Sequence, residues 1–101
     1  MAHLEIGSRD DPMDVPADAT WRQSIATLSS AIGLTPPKKA RGALIQALSQ
    51  GVRFTLNGDN PTGAEGFPLA ANDTLVVHGQ LSQIKFIEQA ASAALRVHYF
   101  R

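Results

Sequence analysis

The sequence predicts an all-β fold: a small antiparallel β-sandwich or barrel with an extended N-terminal arm. Two observations lead to it. Short stretches alternate apolar and polar residues, most clearly Val52, Phe54 and Leu56 against Arg53 and Thr55, the period-two pattern of a strand with one buried side. Turn residues punctuate the chain between such stretches, as in Asn57-Gly58-Asp59-Asn60-Pro61-Thr62 and Asn72-Asp73. Short strands separated by turns suit a sandwich or barrel better than alternating βα units.

A chain of 101 residues suits one domain. We divide it into an acidic arm over 1–20 and a β-sandwich over 21–101. A hydrophobic share of 44% with 18% charged residues fits a globular chain. Cysteine is absent, which excludes disulfides, thiolate metal sites and cysteine nucleophiles. The first residues carry no apolar run of signal-peptide length and no segment approaches a membrane span, so residence in a cytoplasm, without a membrane partner, is expected. The formal net charge is zero, which argues against a general nucleic-acid binder. Neutrality hides an asymmetry. Through Thr20, five acids face Arg9 alone, a balance of −4, whereas the remainder carries +4. The arm is either a solvated terminus or a segment that docks on a basic body, its own or a neighbour's.

Taken in order, Leu4 to Ile6 reads as a short edge strand, and Gly7 to Asp18, rich in Asp and Pro, as extended chain. Trp21, Ile25, Leu28 and Ile32 recur at helix spacing, yet the Ser and Thr residues among them compete with a helical backbone, so strand and helix both stand. The same conflict recurs over 38–50. Good helix formers there oppose an extended reading with Gly42, Leu44, Gln46 and Leu48 on one face and a turn at 49–51. We prefer the extended reading, which makes a hairpin with the strand from Val52. Thr74 to His78 is β-branched enough for a strand covered on both faces. Ile84 to Ile87 and the alternating Leu95 to Phe100 follow as strands, with 89–94 connecting them. The expected core is Phe54, Leu56, Leu75, Val77, Phe86, Leu95, Val97 and Tyr99.

Chemistry-bearing residues form no catalytic pattern. His3, His78 and His98 lack metal-site spacing, and Ser29 and Ser30 lack a nucleophile elbow. Asp59, Asn60 and Asp73 do not match a calcium loop, so neither a metal nor a cofactor is expected. Lys38, Lys39 and Arg41 form a basic cluster that either guards a strand edge or receives an acidic partner. Trp21 and Phe100 are either interface anchors or core residues.

Several stretches together, among them Val52 to Thr62, Gly66-Phe67-Pro68-Leu69-Ala70-Ala71-Asn72-Asp73-Thr74-Leu75 and Leu95 to Tyr99, resemble small virion structural proteins of tailed bacteriophages. The resemblance covers about the last two-thirds of the chain and aligns Thr27 to Ser30 with a strand. It implies a capsid decoration or head-associated subunit, located in the virion and made in the bacterial host cytoplasm. Such a subunit is not an enzyme; it forms homo-oligomers, a trimer being one such assembly, and binds the major capsid protein or another virion protein. The expected contact residues are Asp10, Asp11 and Asp14 in the arm, Trp21, Lys38, Lys39, Arg41, Asp59, Asn60, Thr62 and Phe100. Phe54 to Thr62 is also similar to a strand and turn of fibronectin-III-associated accessory modules in carbohydrate-active enzymes, which implies a glycan-binding alternative. Exposed aromatic rings would favour that alternative, with Trp21, Phe67, Tyr99 and Phe100 as the candidates.

Overall fold

A computed structural model of the chain describes residues 3–6, 16, 18–62, 65–79 and 81–101. The described residues form β1 (His3–Ile6), β2 (Arg22–Ile25), β3 (Ile32–Gly33), β4 (Gly42–Leu48), β5 (Val52–Thr55), β6 (Phe67–Leu69), β7 (Thr74–His78), β8 (Lys85–Glu88) and β9 (Ala94–Phe100), with 3-10 turns at Ala19–Trp21 and Leu81–Gln83. The architecture is all-β. One sheet has the order β1-β7-β4-β9-β2 and the other β3-β8-β5-β6. Every pairing is antiparallel except that of β1 with β7.

The pairings are nested. β2 lies against β9, β3 against β8, β4 against β7 and β5 against β6. From β2 onward the chain is therefore one long hairpin with its tip between β5 and β6, rolled so that its two arms contribute to both sheets. Eight strands arranged this way make a double-sheet jelly roll.

The inner faces of the two sheets meet in one apolar core. Ala43, Ile45 and Ala47 of β4, Leu75 and Val77 of β7, and Leu95, Val97 and Tyr99 of β9 face Val52 and Phe54 of β5, Leu69 of β6 and Phe86 of β8. Each large side chain so buried contributes roughly 1.5–3 kcal/mol of transfer free energy, opposed by chain entropy. Leu44 points outward from β4 and is 38% exposed. Val76 is buried as well as Leu75 and Val77, so β7 is covered on both faces as its β-branched composition predicts.

Three expectations need correction, and one choice left open, over 21–32, is decided. Residues 42–48 are extended, but β4 does not pair with β5; the turn at 49–51, with Ser49 at φ 70°, carries the chain from one sheet to the other. Both strands present an apolar face inward, and packing those faces across the core satisfies them better than lying side by side. Trp21, Ile25 and Leu28 are all buried, but from a 3-10 turn, a strand and a connecting segment in succession, not from a helix. Thr27 to Ser30 is not a strand, since β2 and β3 flank it. Leu56 lies past the end of β5 and is only partly buried against the core.

Successive strands alternate in direction, so the connections sort between two ends of the sandwich. Short turns at 49–51, 70–73 and 89–93 and the 26–31 segment lie at one end. The described residues of the other connections, 34–41, 56–62 with 65–66, and 79 with 81–84, lie at the other, with the close of β9 and the start of β2. Within the stretch 1–20, β1 pairs in the larger sheet as its edge strand; residues 7–15 and 17 lie outside the described residues.

Candidate functional site: the long-loop end of the sandwich

Backbone hydrogen bonds hold the long connections in place at this end. The Arg41 amide donates to the Phe100 carbonyl at 2.9 Å, the Gly79 amide to the Arg41 carbonyl at 2.6 Å, and the Gly58 amide to the Gln83 carbonyl at 2.9 Å. Tyr99, fully buried at the end of β9, adds a side-chain tie. Its hydroxyl donates to the Gln23 amide oxygen and accepts from the Thr35 amide at 3.1 Å, so β2, β9 and the 34–41 connection share one contact.

Burial pushes the Tyr99 hydroxyl above its ordinary ionisation range, against the opposing effect of the Thr35 hydrogen bonds. The folded state thus disfavours tyrosinate more than the unfolded state does. The stability this represents is fully present below the unfolded value of about 10. It is lost as pH rises through the folded value. With one tyrosine in the chain, the tyrosinate absorbance reports this group alone, and its midpoint is expected above that of the urea-unfolded chain. An equal midpoint in both states would contradict the buried hydroxyl.

In the loop at the tip of the hairpin, residues 56–62 and 65–66 are held largely by polar side chains of the loop and its flanking strands. The Asn57 side-chain amide donates to Asp59 Oδ2 at 3.0 Å, and the Asp59 backbone amide donates back to Asn57 Oδ1 at 3.2 Å. Thr55 Oγ1 donates to the Asp59 carbonyl. Gly58 sits between them at φ +85°, a conformation that a side chain strains. Lys85 Nζ donates to Asn60 Oδ1 at 3.1 Å, joining the loop to β8. Arg53 Nη1 donates to the Gly66 carbonyl at 3.0 Å, and Pro61 is buried, so the return to β6 is fixed as well.

Between this loop and the first residue of β6 lies a groove of about 630 Å³. Leu56, Pro61 and Phe67 give it apolar surface, and Asn57, Asp59, Asn60 and Glu65 give it polar surface. Phe67 is 60% exposed, the most exposed large hydrophobic side chain among the described residues. Its orientation is nonetheless constrained. Phe67 pairs with Phe54 and Phe54 with Phe86, and the rings follow one another at 5.8 and 5.9 Å across three strands, from the surface to full burial.

The long-loop end also collects the residues that the sequence marked as contacts. Lys38, Lys39 and Arg41 are exposed on the 34–41 connection; the Ala40 amide donates to the Pro37 carbonyl at 3.1 Å, closing a turn with Lys39 at φ 77°. Asp59, Asn60 and Thr62 are exposed on the tip loop. Asp10, Asp11 and Asp14 lie outside the described residues. The two aromatic anchors are corrected. Trp21 is 8% exposed and belongs to the core. Phe100 is fully buried because Gly42, its partner across the strands, leaves room for a ring, and His78 on the other side of Gly42 meets that ring edge-on at 5.6 Å. Neither ring is available to a partner. Phe67 takes that place; the proline after it and the glycine before it were the signal, marking a ring at the start of an edge segment.

The described residues contain no group of three His, Asp or Glu side chains able to hold a metal ion. None of their helices is long and apolar enough to cross a membrane. Comparison with known proteins finds no matching family model, no matching curated protein and no matching solved structure.

Proposed function

We propose that the chain is a non-enzymatic structural subunit of a tailed-phage particle, a decoration or head-associated protein that assembles with copies of itself and seats on the capsid lattice through the long-loop end. The observation that carries this reading is the convergence of three long connections and the exposed Lys38, Lys39, Arg41, Asp59, Asn60 and Thr62 at one end of a rolled eight-stranded sandwich. That architecture is one that viral coat proteins use, along with lectins and cupins, so the fold supports the reading without selecting it. Interlocked loops supply what a lattice contact requires, a surface that loses little freedom on binding. The mix of both charge signs at that end suits a partner of patterned rather than uniform charge.

Two measurements test the proposal. Mass in solution should exceed that of the 10.8 kDa monomer, and the full chain should bind capsids that lack it. Reversing Lys38, Lys39 and Arg41 together to glutamate should weaken capsid binding at least tenfold. All three side chains are exposed, so thermal unfolding should change little. A monomer with no capsid affinity overturns the assignment, and undiminished binding by the triple variant overturns the role given to the basic turn.

A further inference from the structure

We infer that the groove beside the tip loop is a binding site for a neutral saccharide, with Phe67 as the stacking platform and Asp59, Asn60 and Glu65 as the hydroxyl-reading groups. The inference does not depend on the particle reading, although Asp59 and Asn60 belong to both surfaces. A sugar ring has two chemically different aspects: a face of C–H bonds that packs on an aromatic ring, and an edge of hydroxyls that each donate and accept hydrogen bonds. The groove offers both. Phe67 exposes its ring, yet the ladder through Phe54 to the buried Phe86 fixes how it stands, so a ligand does not bear the cost of ordering it. Trp21, Tyr99 and Phe100 are buried, which leaves Phe67 as the one exposed ring among the aromatic residues considered for stacking.

The polar side is equally pre-set. Asn57 and Asp59 hold each other, which keeps the Asp59 carboxylate in place as an acceptor for ligand hydroxyls. Lys85 occupies the Asn60 side-chain oxygen and thereby turns its NH₂ toward donation. Two carboxylates, Asp59 and Glu65, line the groove, while the two cations beside it are engaged on oxygens of lining residues, Lys85 at Asn60 and Arg53 at the Gly66 carbonyl. The charges on the lining itself are thus negative and the adjacent cations are committed to protein oxygens, which disfavours phosphates, uronates and sialylated chains and leaves neutral sugars as the matching class. The volume lies within the range of small-molecule sites and accommodates one or two sugar units. A β-strand from another protein suits the edge less well. Pro68 at the centre of β6 has no amide proton to offer an added strand.

The test is a titration of the isotope-labelled full chain, followed by amide chemical shifts. Four neutral oligosaccharides, cellohexaose, maltohexaose, laminarihexaose and chitohexaose, are compared with an oligogalacturonate. At least one neutral oligosaccharide should shift the amides of residues 55–60, 65–67 and Lys85 in a saturable way, at least tenfold more tightly than the oligogalacturonate. Phe67→Ala should weaken binding tenfold or more, with the thermal transition retained because the ring is largely exposed. Phe67→Trp, which keeps a stacking face, should bind at least as well as the parent. No saturable shifts with any of the four, shifts away from the groove, or unchanged binding by Phe67→Ala would each overturn the site. Capsid binding is scored on the same preparation. A chain that seats on capsids but ignores every sugar loses this inference and keeps the assembly reading; the opposite pattern does the reverse.

Discussion

Phe54→Ala is expected to lower the free energy of unfolding by about 3–5 kcal/mol, because it removes a ring that is 3% exposed and leaves a cavity between two others. Chemical denaturation should show an earlier midpoint with the slope unchanged. The effect does not stop at stability. Phe54 is the middle ring of the ladder, so its loss frees Phe67 from the position in which it borders the groove. Phe54→Leu separates the two roles. It retains most of the buried volume and forgoes the ring–ring contacts, worth about 0.5–1.5 kcal/mol each, so its stability loss should be the smaller while Phe67 still becomes mobile. Ring-proton linewidths of Phe67 read that mobility directly. A Phe54→Ala protein as stable as the parent would show that the ladder is not packed as described.

Gly42→Ala is the second large effect, and its sign is opposite to intuition about strands, where alanine ordinarily improves on glycine. A Cβ at this position would stand 2.5 Å from the Val77 carbonyl oxygen and closer still to the Phe100 ring. Neither neighbour has room to withdraw. The oxygen belongs to the backbone of β7, and the ring is buried over the glycine with His78 at its edge. Overpacking of this kind costs about 1–3 kcal/mol. Combining Gly42→Ala with Phe100→Leu should recover part of the loss, since the smaller side chain relieves one of the two clashes and the carbonyl remains. Equilibrium unfolding of the two single variants and the double variant measures that coupling. Losses that simply add would mean that the ring does not lie over the glycine.

Two patterns made these strands legible in the sequence: alternating polarity over four or more positions in β5 and β9, and a β-branched apolar run in β7, which is buried on both faces. For all three the expected and observed spans agree to within a residue at each end. β4 was legible as extended chain, but its partners were not. A sequence carries the face of a strand locally, whereas β4 finds its neighbours β7 and β9 from far along the chain. The 21–32 region stayed open between strand and helix because burial recurs there every three or four residues for a reason other than a helix. Trp21, Ile25 and Leu28 reach the core from three different local structures as the chain turns from one sheet to the other.

The candidate site divides along the same line. Asn57 to Thr62 is visible in sequence because turn residues signal themselves. Phe67 was a candidate beside Trp21, Tyr99 and Phe100, and what singles it out, a ring starting a three-residue edge strand opposite Phe54, is signalled only indirectly by the flanking Gly66 and Pro68. Phe100 was ambiguous for a related reason. Alternation set it opposite the core, and only the long-range pairing with Gly42 explains how it can be buried there.

The nested pairing bears on the order in which this chain can be made rigid. The entropy lost in bringing two segments together grows with the length of chain between them. β5 and β6 are separated only by the tip loop, while the pairing of Arg22 with His98 encloses every strand from β3 to β8. Each inner pair, once formed, shortens the effective loop that the next pair must close. The stretch from Val52 to Leu69 is thus where ordering costs the chain least. The groove is built on the segment of the molecule that depends least on the remainder being assembled first.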